Sequence, residues 1–173
     1  MRISRLHLEQ FRNIESLSVF PCETVNIIYG DNAQGKTNLI EAVYLFTGAK
    51  SFRGARDSEL VQFGKEQAQL QIHFVSGNRP QTAMLQIKKR RSATLNGIAK
   101  TSAAALGEEI KAVVFSPAHL TMIKDGPAER RKFLDLALCQ IRTGYKKLLS
   151  DYNRSLAQRN MLLRDIAAGK MSA

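Results

Sequence analysis

The chain has 173 residues, 44% hydrophobic and 24% charged, with a formal net charge of +11 at pH 7. That suffices for one sizeable domain, or one domain and part of another, of soluble globular composition. No apolar run approaches the roughly 20 residues that span a bilayer, and residues 1–6 lack the apolar core of a signal peptide. Cys22 and Cys139 stand apart from each other and from His7, His73 and His119. They read as small apolar fillers in a reducing compartment, not as a disulfide or a zinc site. An isoelectric point near 10.0 calls for a polyanionic partner. Nucleic acid is the first candidate. An anionic membrane surface is the second, weakened by the lack of a basic amphipathic segment with an aromatic face.

In chain order, Leu6 and Leu8 alternate with His7 and Glu9, and Leu17 and Val19 with Ser16 and Ser18. This period of two predicts a pair of half-buried strands joined around Arg12-Asn13. The apolar run at 25–29 predicts a buried strand. Apolar residues at 39, 40, 43, 44 and 46 predict a helix to about 47, with Gly48 as its stop. Residues 51–57 are polar and Gly-containing, as a loop is. Alternation returns from 68 to 75, Gly77-Asn78-Arg79-Pro80 signals a turn, and 82–88 predicts a returning strand. A short strand at 93–95 leads into Asn96-Gly97, a strong hairpin signal, with Ile98 beyond it. The Ala-rich stretch 101–106 predicts a helix, and 112–115 a short buried strand ended by Ser116-Pro117.

The character then changes. Gly126-Pro127 opens a helix, with Phe133, Leu134, Ala137, Leu138 and Ile141 as its buried stripe. Thr143-Gly144 breaks it. A longer helix follows, with Tyr145, Leu148, Leu149, Tyr152, Leu156 and Leu163 on one face, read as a helix–helix seam. The fold class is therefore α/β, with a β-rich lobe over 1–115 followed by the start of an all-helical lobe over 116–173.

The chemistry concentrates in Gly30-Asp31-Asn32-Ala33-Gln34-Gly35-Lys36-Thr37, which fits G-x-x-x-x-G-K-[ST] between an apolar run and a helical pattern. Gly30 and Gly35 let the backbone turn sharply and approach a phosphate with no Cβ in the way. Successive N–H groups and the helix N-terminus then face an anion. Lys36 is a point charge for the β- and γ-phosphates. The Thr37 hydroxyl suits Mg²⁺, a hard cation that keeps several waters. The expected ligands are ATP and Mg²⁺. Ala33 is expected to hold a negative φ, as a residue with a Cβ prefers.

Lys88-Lys89-Arg90-Arg91 is a dense basic run, unlike the mixed signs of an ordinary solvated face. It is a candidate contact for a nucleic-acid backbone, with Lys100 and Arg79 as extensions. Arg130 and Arg131 are candidates for DNA or a partner, with helix-surface pairing to Glu129 and Asp135 as the competing account. After Thr37 no run of four apolar residues leads into Asp or Glu. The second carboxylate that such an ATPase uses is therefore not evident, and the chain is expected to be a fragment inactive in hydrolysis.

Together these segments resemble the RecF family, recombinational-repair ATPases of the SMC/Rad50-like branch of ABC ATPases. The resemblance is carried by Leu8-Glu9-Gln10-Phe11-Arg12-Asn13, by the extended phosphate loop through Ala42, and by Phe115-Ser116-Pro117. Residues 124–135 (Lys-Asp-Gly-Pro-Ala-Glu-Arg-Arg-Lys-Phe-Leu-Asp) and 152–160 (Tyr-Asn-Arg-Ser-Leu-Ala-Gln-Arg-Asn) complete it. Two departures stand out: Ala33 where SMC-like proteins usually carry glycine, and Ala118-His119 where the family usually has an acidic pair. The resemblance implies a P-loop ABC-ATPase-like lobe with Arg12 and Asn13 near the nucleotide. It implies a slow DNA-dependent ATPase whose signature and Walker B residues lie beyond 173, with ATP sandwiched in a homodimer. It also implies binding to single- and double-stranded DNA at gaps, RecR and RecO as partners, and roles in replication, recombination and the SOS response. The setting implied is the bacterial cytoplasm, at the nucleoid and not the membrane. The alternatives are a non-catalytic DNA- or partner-binding module, another SMC/Rad50-like ATPase, or a P-loop enzyme such as a nucleotide kinase.

Overall fold

The computed structural model describes residues 1–117, 126–142 and 144–170. Ala118-His119, Lys124-Asp125 and Thr143 lie outside the described residues. The chain divides into two compact units, Met1–Phe115 and Ser116–Ala173.

The first unit is built on one antiparallel sheet. Its strands are β1 (Arg2–Phe11), β2 (Ile14–Val19), β3 (Ala68–Ser76), β4 (Arg79–Ile87), β5 (Arg91–Leu95) and β6 (Ile98–Ala99), in spatial order β2-β1-β3-β4-β5-β6. The alternation visible in the sequence fixes the register. Leu8 faces Leu70, Leu70 faces Leu85, and Leu85 faces Ala93 across the sheet. One step along, Leu6, Ile72, Ala83 and Leu95 make a parallel row. A slip of one residue would turn both rows to water. In β1 the alternation breaks at the register shift between Ile3 and Arg5 and again at Gln10, whose φ of 52° lets Phe11 rather than Gln10 face the core. The two-residue turns Gly77-Asn78 (φ 53° and 62°) and Asn96-Gly97 (φ 51° and 79°) take the left-handed conformation that matches strand twist.

The apolar face is covered by α1 (Lys36–Leu45), the short α2 (Asp57–Leu60) and a 3₁₀ helix (Ala103–Glu108). The stretch expected as a helix at 101–106 is thus a 3₁₀ helix, and α2 begins at Asp57, the last residue of the expected loop. Phe46, Leu60, Leu106 and Ile110 close the core. The end of α1 abuts the 3₁₀ helix backbone to backbone. A Cβ added at Gly107 would lie 2.3 Å from the Thr47 carbonyl oxygen, and one at Gly48 would lie 2.5 Å from the Ala104 Cα.

Two expected strands are absent from the sheet. Residues 25–29 and 112–115 are irregular, with Ile27 81% and Val113 91% exposed. An apolar run becomes a buried strand only where another strand takes its N–H and C=O groups. The sheet's edges, β2 and β6, pair with neither segment. In α1 the expected apolar face is also rotated: Ile40 is exposed while Glu41 is fully buried.

The second unit contains α3 (Pro127–Ile141) and α4 (Tyr145–Ala167). Pro127 at the first turn and Gly144 in the left-handed conformation before α4 set their starts. The stripes expected to be buried are not: neither helix has a buried residue, and Leu134, Ile141, Leu148 and Tyr152 are exposed. The Tyr145 phenol donates to Asp135 Oδ1 at 2.8 Å, which ties α4 to α3 and raises the tyrosine pKa.

Gly107→Ala is expected to lower stability by about 1–3 kcal/mol, the usual cost of overpacking. The shift in urea midpoint at unchanged slope measures it.

Candidate functional site: a phosphate loop braced by a buried carboxylate

The loop 30–37 links the irregular segment 25–29 to α1. Gly30 (φ 138°) and Gly35 (φ 92°) hold conformations that a Cβ disfavours. Gly35 is the N-cap of α1 and offers no side chain, so the first amides of the helix have no partner within it. Lys36 curls back inside the loop, its ammonium donating to the Gly30 carbonyl at 2.7 Å and to that of Asp31. The loop thus gathers backbone amides, a helix N-terminus and a lysine charge, the combination that binds phosphate. Ala33 contradicts expectation, with a φ of 65° in the left-handed region. The reason is tertiary: its carbonyl accepts from Asn13 Nδ2 at 3.0 Å, and that bond selects the loop's path.

Asn13 reaches the loop because it sits in the two-residue β1–β2 turn, with Phe11 opposite Ile14. Its Oδ1 accepts from Asn38 Nδ2 of α1 at 2.7 Å. It also stands 3.0 Å from where a Gly35 Cβ would be, so only glycine fits there without displacing it. Arg12, beside it, holds a φ of 57°, strained for a residue with a side chain. Three hydrogen bonds hold it so. Its N–H donates to the Leu60 carbonyl at 2.9 Å, and its guanidinium grips Glu41 through Nε at 2.8 Å and Nη2 at 3.0 Å.

Glu41 is the residue the sequence reading missed. Its carboxylate is fully buried, shared by Arg12, by the Ser51 hydroxyl, and by Arg53 at 3.8 Å. Arg53 in turn donates to Asn38 Oδ1 at 2.9 Å. One carboxylate on α1 therefore ties the β1–β2 turn, the helix behind the loop and the 51–53 segment together. The available signal was a Glu inside an otherwise apolar helical stripe. Beside this network opens a cleft of about 620 Å³, lined by Arg12, Asn13, Asn38, Arg53 and residues 58–59 and 61–65, with the Phe63 side chain fully exposed on it.

Thr37 stands next to Lys36 in the first turn of α1. Among the described residues no group of three or more His, Cys, Asp or Glu gathers as a metal cage. A Mg²⁺ here fits as one hydroxyl ligand completed by phosphate oxygens and water, the habit of that ion in nucleotide sites.

The basic candidates divide. Lys88, Lys89 and Arg90 occupy the exposed β4–β5 turn. Arg91 does not join them: its side chain is 11% exposed and paired with Asp57. Arg130 and Arg131 lie exposed on the first turns of α3. Near them Lys132 pairs with Glu129 at 3.2 Å, and Arg131 borders a shallow cleft with Asp135 and Cys139. Burial pushes the Cys139 thiol pKa up, against a role as nucleophile.

A glycine loop at a helix N-terminus with Lys and Thr in sequence defines a P-loop nucleotide-binding protein. The chain belongs to the AAA domain family, which it matches over residues 5–158. It is similar to the DNA replication and repair protein RecF of Agathobacter rectalis, 43% identical over 170 residues that cover 96% of this chain and 47% of that protein. The RecF of Lachnospira eligens is 41% identical over 169 residues, again 96% of this chain and 47% of that one. The chain thus spans about half the length of the curated relatives it matches. Among solved structures it resembles the recombination mediator protein RecF-ATP in the RecFOR pathway, with a TM-score of 0.90 and 34% identity over 99% of this chain and 47% of that one. RecF-ATPrS in the same pathway gives 0.89 and 35% over 95% and 45%. The resemblance to RecF covers most of the chain, and the α/β fold is that of RecF.

Glu41→Ala is expected to cost about 3 kcal/mol, because it leaves the Arg12 guanidinium largely buried and unpaired; chemical denaturation measures the loss. Ala33→Val is expected to cost about 1–2 kcal/mol for a β-branched residue at positive φ, while Ala33→Gly costs nothing. Paired thermal melts of the two variants check this.

Proposed function

We propose that the chain is the nucleotide-docking part of a DNA-repair ATPase of the RecF type. ATP binds with its phosphates on residues 30–37 and its nucleoside toward the cleft lined by Arg12, Asn13 and Phe63. The single observation that supports this reading is the loop itself: Gly30 and Gly35 at positive φ, Lys36 folded over the loop, and Ala33 braced by Asn13. The Lys36 ammonium, held by two carbonyls, exchanges them for β- and γ-phosphate oxygens. The Thr37 hydroxyl holds Mg²⁺, which neutralises phosphate charge when bound. Asn13 acts by fixing the loop. Arg12 is engaged by Glu41 and orients the turn that carries Asn13.

The partners proposed are DNA, single- and double-stranded and at gaps, contacted through Lys88, Lys89 and Arg90 and through Arg130 and Arg131. RecR and RecO are the proposed protein partners, and a second protomer closes over the ATP. Hydrolysis needs a further carboxylate to position water, and the sequence after Thr37 offers no apolar run leading into one. That observation favours a second reading for this chain taken alone: a binding module that holds ATP without turning it over.

Lys36→Ala is expected to weaken ATP binding about 100-fold, the loss of a strong charge-assisted contact. Titration with a fluorescent ATP analogue, at an unchanged melting temperature, measures it. Affinity within twofold of the parent would remove Lys36 from the role. Steady turnover by the purified chain would remove the binding-module reading.

A further inference from the structure

Arg91 explains why the basic run is not an isolated turn. Its guanidinium donates to the Ala49 carbonyl at 2.8 Å and, through Nε, to both carboxylate oxygens of Asp57 at 3.0 Å. Ala49 and Asp57 flank the segment 50–56, Lys-Ser-Phe-Arg-Gly-Ala-Arg, which carries Lys50, Arg53 and Arg56 and no carboxylate. One guanidinium therefore holds both ends of a basic segment against the turn that presents Lys88, Lys89 and Arg90. Lys50, Arg56 and the three cations of the turn are all exposed.

Of the nearby carboxylates, Asp57 is taken by Arg91 and Glu41 by Arg12. Glu59 stays exposed and accepts the neutral Arg56 backbone N–H at 3.0 Å. Gathering like charges at a surface is unfavourable unless an anion spans them. A surface that carries one sign in two sequence-distant segments matches the uniform charge of a phosphodiester backbone. Of the extensions read in the sequence, Lys100 and Arg79, the second lies away from the turn. Arg79 begins β4, at the opposite end of that strand from the turn, and Arg91 leads instead to residues 50–56.

We propose that Lys50 and Arg56 form, with Lys88, Lys89 and Arg90, one continuous docking surface for a nucleic-acid backbone. Arg91 is its positioning residue and touches no phosphate. The proposal rests on the reading of the chain as DNA-binding. The surface confers affinity and salt dependence without reading sequence, because phosphates carry none.

The test uses the full 173-residue chain and a fluorescein-labelled DNA duplex of random sequence, titrated by anisotropy between 50 and 200 mM salt, a range of roughly the kind over which such contacts weaken. Removing Lys50 and Arg56 together (Lys50→Ala with Arg56→Ala) is expected to make the slope of log affinity against log salt shallower by about 0.9 per lost contact, as should removal of Lys88, Lys89 and Arg90. Arg91→Gln is expected to weaken binding as well, although it removes no contact. Should that variant unfold, the Lys50 and Arg56 pair, both exposed, still decides. An unchanged slope in the Lys50/Arg56 variant, with the slope of the Lys88/Lys89/Arg90 variant reduced, overturns the shared surface and leaves DNA binding by the turn standing. Salt-independent or absent binding by the parent chain overturns both readings.

Discussion

A carboxylate withdrawn wholly from water must be met by cations and donors or it destabilises the fold. Glu41 meets that demand with Arg12, Arg53 and the Ser51 hydroxyl. The constraint propagates. Arg12 is drawn to Glu41 at a left-handed φ, and Asn13 beside it reaches Ala33 and Asn38. The hairpin turn, the phosphate loop, the first helix and the segment after it become one unit because one acid inside α1 lacks water. The phosphate loop needs such bracing. It combines residues at positive φ with unpaired amides, and nothing in a glycine-rich segment alone selects that shape.

The sheet supplies the other half of the support. Its two rows of apolar residues fix the register and leave α1 lying across the core. The close approach at Gly48 and Gly107 then anchors the far end of the helix whose N-terminus faces the loop. The site sits between a rigid element and the irregular segment 25–29. It is rigid on the side of α1 and unpaired on the side of Tyr29, whose ring is almost fully exposed.

Electrostatics divides the arginines by task. Arg12 and Arg91 are each engaged by a carboxylate and each joins segments far apart in sequence. Planar guanidinium groups suit this because one fork satisfies several acceptors at once. Among the described residues the exposed cations at 50, 56 and 88–90 form no ion pair, and they set the character of the surface.

The sequence determined by itself what depends on neighbours along the chain. The alternation of Leu6, Leu8, Leu70 and Ile72, the turn chemistry of Asn96-Gly97, the Pro127 helix start and the identity of the phosphate loop were all legible, because periodicity and turn geometry are local. What depends on partners far away was not. Residues 25–29 and 112–115 read as buried strands from composition, yet a strand is made by the strand beside it, and the sheet offers them none. Ala33 read as needing a negative φ, yet Asn13, 20 residues earlier, holds it positive. Arg91 read as one of four equivalent cations, and only the fold, by placing Asp57 and Ala49 beside it, made it a strut. Tertiary structure decided these cases because hydrogen bonds and ion pairs across the fold outweigh the conformational preference of any single residue.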